Sequence, residues 1–100
     1  MSRKDPRRAL LVPLDAKGVA ALRAIARGGS LGDAVRRVAE RHSGPVRAAP
    51  VAPLRRLPVQ LPRALLARIE ASAAAAGRTP ADLLAGMVAA AGRSGPPEVR

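Results

Sequence analysis

Apolar and other residues alternate in two short stretches of the chain, one in each half. Alternation with a period of two over five residues is typical of a strand that buries one of its faces. The sequence therefore predicts two short strands with one apolar side each. The apolar positions are Leu10, Val12 and Leu14 in the first stretch, and Leu57, Val59 and Leu61 in the second.

Each alternating stretch is followed by apolar residues at the spacing of a helix. The spacing i, i+3, i+7 places them in one stripe that can face a core. Asp15 is placed to cap the first of these helices, and Pro62 stands where a proline is tolerated at a helix start. The predicted stripes are Val19, Leu22 and Ala26 in the first half, and Leu66, Ile69 and Ala73 in the second.

A second helix is predicted in each half, after a glycine stop at Gly28-Gly29 and at Gly77. The starts of these helices, Ser30-Leu-Gly-Asp33 and Thr79-Pro-Ala-Asp82, are similar to a capping box. The aspartate at the third helical position adds favourable charge near the helix N-terminus. Pro80 would be the first helical residue, where its missing N–H costs nothing.

The two second helices agree in their apolar positions, residue for residue, which indicates an internal duplication. At the matched end of the pattern His42 corresponds to Ala91, so we interpret His42 as a packing residue. The matched sets are Ala34, Val35, Val38, Ala39 and His42 in the first half, and Leu83, Leu84, Met87, Val88 and Ala91 in the second.

This duplication predicts two strand-helix-helix units, because a lone five-residue strand needs a partner for its backbone groups. The predicted fold is mainly α with a short antiparallel β-ribbon over a shared four-helix core. A linker of about 13 residues spans up to roughly 40 Å, so pairing within one chain and exchange between two chains both stay open. The predicted segments are a basic tail (1–7), the first unit (8–42), a proline-rich linker (43–55), the second unit (56–93) and a C-terminal tail (94–100).

The amino-acid composition excludes several classes of protein. The chain has no Cys and one His, which excludes a disulfide scaffold and a histidine or thiolate metal site. It shows no nucleophile-base constellation and no glycine-rich phosphate loop, so we expect no enzyme, no cofactor and no metal. The uncharged stretch Ala71–Gly77 is too short for a membrane span, and no signal-type apolar run follows the N-terminus. We expect a cytoplasmic, nucleoid-associated protein without a membrane partner.

The positive net charge of the chain indicates a polyanionic binding partner. Eighteen Lys and Arg against seven Asp and Glu give a net charge of +11, and the chain has no Phe, Tyr or Trp. Proteins that bind single strands stack bases on aromatic side chains, whereas duplex binding needs phosphate contacts and a few side chains at base edges. Double-stranded DNA is therefore the expected partner.

Within the second unit, the stretch from Val59 to Ala91 has a strand that ends in Leu-Pro, a Gly-Arg-Thr turn and a capped second helix. In these features it resembles the ribbon-helix-helix family of small bacterial DNA-binding proteins. With the first unit, the resemblance covers about 70 of the 100 residues. The tandem arrangement is similar to that of conjugation accessory proteins with this fold, which implies an intramolecular pseudo-dimer.

The resemblance implies that the ribbon enters the major groove and that its outward side chains read bases. These are Arg56, Pro58 and Gln60 on the second strand, where Arg can address guanine and Gln can address adenine. The outward residues of the first strand, Ala9, Leu11 and Pro13, have no hydrogen-bonding side chain. We therefore expect the second strand to make most of the base contacts.

The resemblance also implies that the second helix of each unit binds a phosphate at its N-terminus. Ser30 is the matching position in the first unit, and Thr79, preceded by Arg78, in the second. Pro80 removes a donor there, and the two capping-box aspartates add negative charge. Phosphate contacts are also expected from basic residues that lead into the strands, namely Arg7, Arg8 and Arg55. The expected role is that of a transcriptional repressor or a plasmid or conjugation accessory factor.

Other readings stay open. Ala73, Gly77 and Leu83 have a spacing typical of a helix-turn-helix, although no third helix follows to complete its core. An antitoxin-type module could instead neutralise a toxin protein, with DNA binding secondary or lost. The arginines could also do no more than solvate the surface. That interpretation applies above all to Arg36, Arg37 and Arg41 on the second helix of the first unit.

Overall fold

The computed structural model describes residues 9–42, 46–50 and 52–93. Along the chain the order strand, helix, helix occurs twice. Both predicted tails lie outside the described residues. The elements are β1 (Leu10–Leu14), α1 (Ala16–Ala26), α2 (Leu31–Arg41), β2 (Arg55–Val59), α3 (Arg63–Ala76) and α4 (Pro80–Arg93).

The two strands form a two-stranded antiparallel sheet, as predicted. Val12 lies opposite Leu57, and the Leu54 N–H donates a hydrogen bond of 2.8 Å to the Leu14 carbonyl at one end of the ribbon. β2 begins at Arg55 and ends before Gln60. The third apolar position of the predicted second strand, Leu61, is therefore buried beyond the strand and not within it.

Two prolines occupy the ribbon without interrupting its pairing. Pro13 lies opposite Arg56, and Pro58 lies opposite Leu11, so both fall on the same alternate pairs of the ladder. A Cβ atom placed on Gly32 would lie 4.0 Å from the Pro58 carbonyl oxygen, which shows that this oxygen faces α2. The ladder hydrogen bonds can thus run through the other pairs, where no N–H is missing.

Side chains cap three of the four helices at the residues that the sequence predicts. Such a cap satisfies one of the backbone N–H groups that a helix leaves unpaired in its first turn. The Pro62 cap of α3 has no side-chain hydrogen bond. The three caps are Asp15 Oδ1 accepting from Gly18 N at 2.8 Å, Ser30 Oγ from Asp33 N at 3.0 Å, and Thr79 Oγ1 from Asp82 N at 3.1 Å.

The helix ends also follow the glycine signals, with one difference. Gly77 ends α3 with φ 69°, the left-handed conformation that glycine adopts at little cost. In the first unit the left-handed capping residue is Arg27, with φ 49°, and Gly28 follows with φ 90°. The glycines therefore continue a turn that begins one residue earlier.

One apolar core unites the ribbon and the helices. β1 packs against α4 and β2 against α2, while α2 and α4 contact each other. No polar or charged residue of the described ranges is buried. The predicted apolar positions of the second helices are buried, apart from the half-buried His42 and Ala91. The most deeply buried large side chains are Leu14, Leu22, Leu84, Val12, Val35, Val59 and Val88.

Two predictions about burial are wrong. In α3, Leu65 is buried and Leu66 only half-buried, so the inner stripe runs Leu65, Ile69, Ala73. Spacings of three and four both keep residues on one helix face, and only the packing decides between neighbours. Pro13 is buried although it shares the outward alternation of the exposed Leu11.

The linker crosses α4 at a glycine. The Arg47 N–H donates to the Gly86 carbonyl at 3.4 Å, and Arg78 Nη2 donates to the Arg47 carbonyl at 2.7 Å. A Cβ atom on Gly86 would lie 2.1 Å from the Arg47 oxygen and 2.4 Å from a methyl carbon of Val46. The absent side chain at Gly86 is what allows this close approach.

None of the helices in the described part of the chain is both long and apolar enough to cross a bilayer.

Candidate nucleic-acid interface

The outer face of the ribbon carries two of the three predicted base-reading residues. Arg56 and Pro58 are exposed on β2, whereas the alternate residues Leu57 and Val59 point into the core. Leu11, opposite Pro58 on β1, is 54% exposed. The face thus combines one guanidinium with an apolar centre.

The third predicted base-reading residue, Gln60, is exposed one residue beyond β2. It lines a shallow surface depression together with Ala9, Pro58 and the α2 residues Gly32 and Asp33. The N-terminal turn of α2 therefore lies beside the end of β2. Gln60 and the predicted helix N-terminal site of the first unit border the same depression.

Arg55 lies at the opposite end of β2 from Gln60. It is exposed, although it shares the alternation of the buried Leu57, because it stands at the end of the ribbon opposite Leu14. The neighbouring Leu54 is 70% exposed. Arg55 and Arg56 thus place two cations on consecutive residues, one on each side of the strand.

The start of α2 holds a carboxylate that is paired with two arginines. Asp33 accepts hydrogen bonds from the Arg36 guanidinium, and its other oxygen lies 3.1 Å from Arg37 Nε. The hydrogen bonds from Arg36 hold the pKa of Asp33 below its usual value of 3.8. Asp33 is therefore ionised at neutral pH, and its negative charge lies beside the predicted phosphate position.

Arg36 makes a second ion pair, to Glu40, at 2.8 Å. Its hydrogen bonds to Asp33 and Glu40 hold the pKa of Arg36 above its usual value. Arg36 and Arg37 are two of the three arginines for which the sequence allows a purely solvating role. In the structure both form ion pairs within α2. The third, Arg41, is exposed in the last turn of α2.

The other predicted phosphate contacts differ in their surroundings. The Ser30 and Thr79 hydroxyls are exposed and accept the capping hydrogen bonds of α2 and α4. Arg78 is half-buried, and its guanidinium donates to the linker carbonyl of Arg47. Sequence reasoning missed this contact, because nothing local to Arg78 indicates where the linker runs. Arg7 and Arg8 lie outside the described residues.

Within the ranges that the structure describes, no three His, Asp or Glu residues lie close enough together to hold a metal ion. The surface around the ribbon can donate hydrogen bonds through Arg55, Arg56 and Gln60. It can also make apolar contact through Leu11 and Pro58.

No protein-family model matches the chain, and neither the curated proteins nor the solved structures contain a match. The resemblance to the ribbon-helix-helix family therefore rests on the sequence pattern alone.

Proposed function

We propose that the chain binds double-stranded DNA by laying the outer face of its ribbon in the major groove. The observation that carries this proposal is an antiparallel ribbon that exposes Arg56, Pro58 and Leu11 on its outer side, in a chain of net charge +11. The major groove admits a two-stranded ribbon, and the positive charge supplies the general attraction to phosphate.

In this proposal β2 supplies the sequence preference. Arg56 pairs with the O6 and N7 atoms of a guanine, and Gln60 pairs with the N6 and N7 atoms of an adenine. Leu11 and Pro58, which lie opposite each other on the ribbon, make apolar contact with thymine methyl groups. Arg55, at the end of the ribbon, binds a backbone phosphate.

The helix N-termini take a smaller part. The hydroxyls of Ser30 and Thr79 keep a proton that can be donated to phosphate, beside the free N–H groups of the first turn. The ionised Asp33 opposes an anion at α2, so we propose that this contact is weak. Arg78 is left out of the DNA contacts, because its guanidinium already binds the linker.

We further propose that the two units form an intramolecular pseudo-dimer of the ribbon-helix-helix type. Each strand packs against the second helix of the other unit, β1 on α4 and β2 on α2. Because each unit contributes the helix on which the other unit's strand packs, these contacts support two similar halves with one common core. The role that fits such a protein is that of a repressor or a plasmid or conjugation accessory factor.

The first test is selection from random duplex DNA at several salt concentrations. Wild type should enrich a short motif, and its affinity should fall steeply with salt. Gln60→Ala should relax the preference at one base pair by about 1–3 kcal/mol and leave the other positions unchanged. Arg56→Ala should abolish a guanine preference at another position.

Arg23→Ala is the matched control for charge, because Arg23 is exposed on α1 and lies outside the ribbon. It should lower affinity for all sequences slightly and leave the motif intact. If wild type and Gln60→Ala bind every duplex equally, the base-reading proposal is wrong. If Arg23→Ala and Arg56→Ala have the same effect on affinity and on the selected motif, Arg56 contributes only to the general electrostatic attraction between the protein and DNA.

The second test concerns the pseudo-dimer. A chain that closes its own ribbon should sediment with the monomer mass of 10.3 kDa across a wide concentration range. A chain that exchanges units should instead give twice that mass, with a concentration-dependent equilibrium. Sedimentation equilibrium of the full chain separates these outcomes.

A protein partner of the antitoxin type is the second candidate function. The observation that favours it is the exposure of two large apolar side chains at the ribbon, Leu11 at 54% and Leu54 at 70%. Co-purification with the product of a neighbouring reading frame, lost in Leu54→Ser, would support this candidate. Recovery of DNA alone would count against it.

A further inference from the structure

The register of the ribbon locates the axis that relates its two strands in the proposed pseudo-dimer. Val12 and Val59 are matched apolar positions of the two strands. The residues that precede them, Leu11 and Pro58, are therefore equivalent, and they pair with each other in the ribbon. A pair of equivalent residues lies on the two-fold axis of a symmetric pair of strands. The axis thus passes between Leu11 and Pro58.

This axis separates two outward positions that carry different side chains. On one side of the axis Arg56 is exposed, whereas its partner Pro13 is buried. On the other side Gln60 and Ala9 are both exposed and line one depression. By the same matching Arg56 corresponds to Ala9, and Gln60 corresponds to Pro13. Neither of the two polar side chains therefore has a polar counterpart across the axis.

Both polar side chains are available to a partner. The side chains of Arg56 and Gln60 make no hydrogen bond or ion pair with any residue that the structure describes. A guanidinium can donate to the O6 and N7 atoms of guanine, and an amide can pair with the N6 and N7 atoms of adenine. The two sides of the axis consequently favour different bases.

The two ends of the ribbon also differ in charge. Arg55 is exposed next to Arg56, so two cations stand at one end. At the Gln60 end the depression is bordered by Asp33 and Arg36, which form an ion pair with each other. Because this pair has no net charge, we expect the Arg55 end to attract phosphate more strongly.

The spacing along β2 sets the distance between the two bases. Arg56 and Gln60 lie two residues before and two residues after Pro58. An extended strand rises about 3.4 Å per residue, so about 14 Å separate the two Cα atoms. The duplex rises about 3.4 Å per base pair, which makes this separation about two to four base pairs, depending on how the ribbon is inclined in the groove.

We infer that the DNA target of the ribbon is not palindromic and is bound in one orientation. Arg56 faces a guanine, Gln60 faces an adenine on the other side of the axis, and Arg55 lies on the phosphate beyond the guanine. A protein with two-fold symmetry ordinarily binds a site of the same symmetry. Here the backbone follows the symmetry, and the outward side chains break it. This orientation rests on the proposed DNA binding, because it concerns the same face of the ribbon.

Palindromic versions of the selected motif test the asymmetry. Selection from random duplex DNA should give a motif with a guanine on one side of its centre and an adenine on the other. The guanine palindrome repeats the guanine half of this motif, and the adenine palindrome repeats the adenine half. Each should bind wild type about tenfold more weakly than the motif, since each leaves one of the two side chains without its base.

Directed cleavage of the DNA tests the orientation. The chain has no Cys, so Leu54→Cys creates a single thiol to which iron–EDTA can be attached. Leu54 is exposed, and its N–H donates to the Leu14 carbonyl at the Arg55 end of the ribbon. Hydroxyl radicals from this position should cut the DNA at the guanine flank of the motif and leave the adenine flank intact.

A gain of function tests the equivalence of the two sides. Ala9 is exposed and corresponds to Arg56, so Ala9→Arg places a guanidinium on each side of the axis. This variant should bind the guanine palindrome about tenfold more tightly than wild type does. Ala20→Arg is the matched control, because it adds the same charge at an exposed position of α1 outside the ribbon. It should raise the affinity for motif and palindrome by the same factor.

The possible failures separate the orientation from the DNA binding on which it rests. A palindromic motif, or equal cleavage at both flanks, would overturn the single orientation and leave sequence-specific DNA binding in place. Equal behaviour of Ala9→Arg and Ala20→Arg would show that the outward positions do not select the bases. A selection that enriches no motif would refute the base reading itself. Circular dichroism of each variant confirms that the helices are retained.

Discussion

At the scale of single residues, Gly86 is important because it has no side chain. It lies inside α4, where a glycine weakens the helix by about 1 kcal/mol relative to alanine. That cost is offset by the contact it permits, because the linker backbone occupies the place of its missing side chain. The same crossing is held by the Arg78 guanidinium on the Arg47 carbonyl.

Gly86→Ala should detach the linker from α4. The added methyl group would overlap the Arg47 oxygen, and we expect the free energy of unfolding to fall by about 1–2 kcal/mol despite the better helix propensity. Chemical unfolding measures the loss, and hydrogen exchange should show a less protected Arg47 amide.

Gly32→Ala is the matched control, because a Cβ atom there would meet only the Pro58 oxygen at 4.0 Å. It should stabilise α2 by up to about 1 kcal/mol. A Gly86→Ala protein with unchanged Arg47 protection and higher stability would contradict the role given to Gly86.

Residues whose role is local could be predicted from the sequence. Asp15, Ser30 and Thr79 cap their helices through atoms three residues away, so a short pattern contains the whole interaction. Arg78 and Pro13 could not be predicted in this way. The partner of Arg78 is 31 residues away, and the burial of Pro13 depends on how the ribbon sits in the folded chain.

At the scale of elements, α2 begins with a network of charges. Asp33 is bound by Arg36 and lies close to Arg37, and Arg36 also holds Glu40 one turn later. The carboxylate lies in the first turn, where the helix dipole favours negative charge. These contacts stabilise the ionised form of Asp33, and for that reason its pKa is lowered.

Asp33→Asn should make stability less dependent on pH at the acid end. Because the folded state has the lower pKa, ionised Asp33 stabilises the fold above the unfolded pKa of 3.8, and this contribution is lost as the pH falls through the folded value. The stability gap between wild type and Asp33→Asn should therefore shrink below about pH 4. Urea unfolding between pH 2 and pH 7 would measure it.

Glu70→Gln serves as the control, since the Glu70 carboxylate makes no hydrogen bond or ion pair with any described residue. Its stability gap to wild type should be smaller than that of Asp33→Asn at pH 7. A gap for Asp33→Asn that stays constant over the whole pH range would show that the ion pairs do not stabilise α2.

The elements themselves were predictable, and their bounds less so. Period-two and period-3.6 patterns identified both strands and all four helices, and the strands pair as an antiparallel ribbon. The bounds of β2 differ, because Leu61 continues the alternation after the chain has left the ribbon. An apolar pattern records which residues are buried, whereas hydrogen bonding decides where a strand stops.

At the scale of the whole molecule, the two halves share one core. β1 rests on α4 and β2 on α2, so neither half can keep its strand packed when the other unfolds. The matched apolar positions of the sequence predict that the two halves are alike. That they pack on each other in this crossed way depends on contacts between distant residues, which no local pattern records.

Unfolding should therefore be a single cooperative event. Val35→Ala in the first half and Val88→Ala in the second each remove two buried methyl groups, at 0% and 1% exposure. Each should lower the unfolding free energy by about 2 kcal/mol and shift the same transition. Far-UV circular dichroism is the suitable probe, because the chain has no Trp or Tyr. Two transitions, of which each variant moves only one, would contradict a shared core.

The placement of the two prolines affects how the molecule avoids aggregation. A two-stranded ribbon has two open edges, and an open edge recruits further strands from neighbouring molecules. Pro13 and Pro58 stand on the same alternate pairs, so each strand lacks one of the N–H groups that would point outwards along its edge. The Pro58 carbonyl also faces Gly32 of α2. Both features hinder the addition of a third strand, and they lower the tendency of the exposed Leu11 to start a growing sheet.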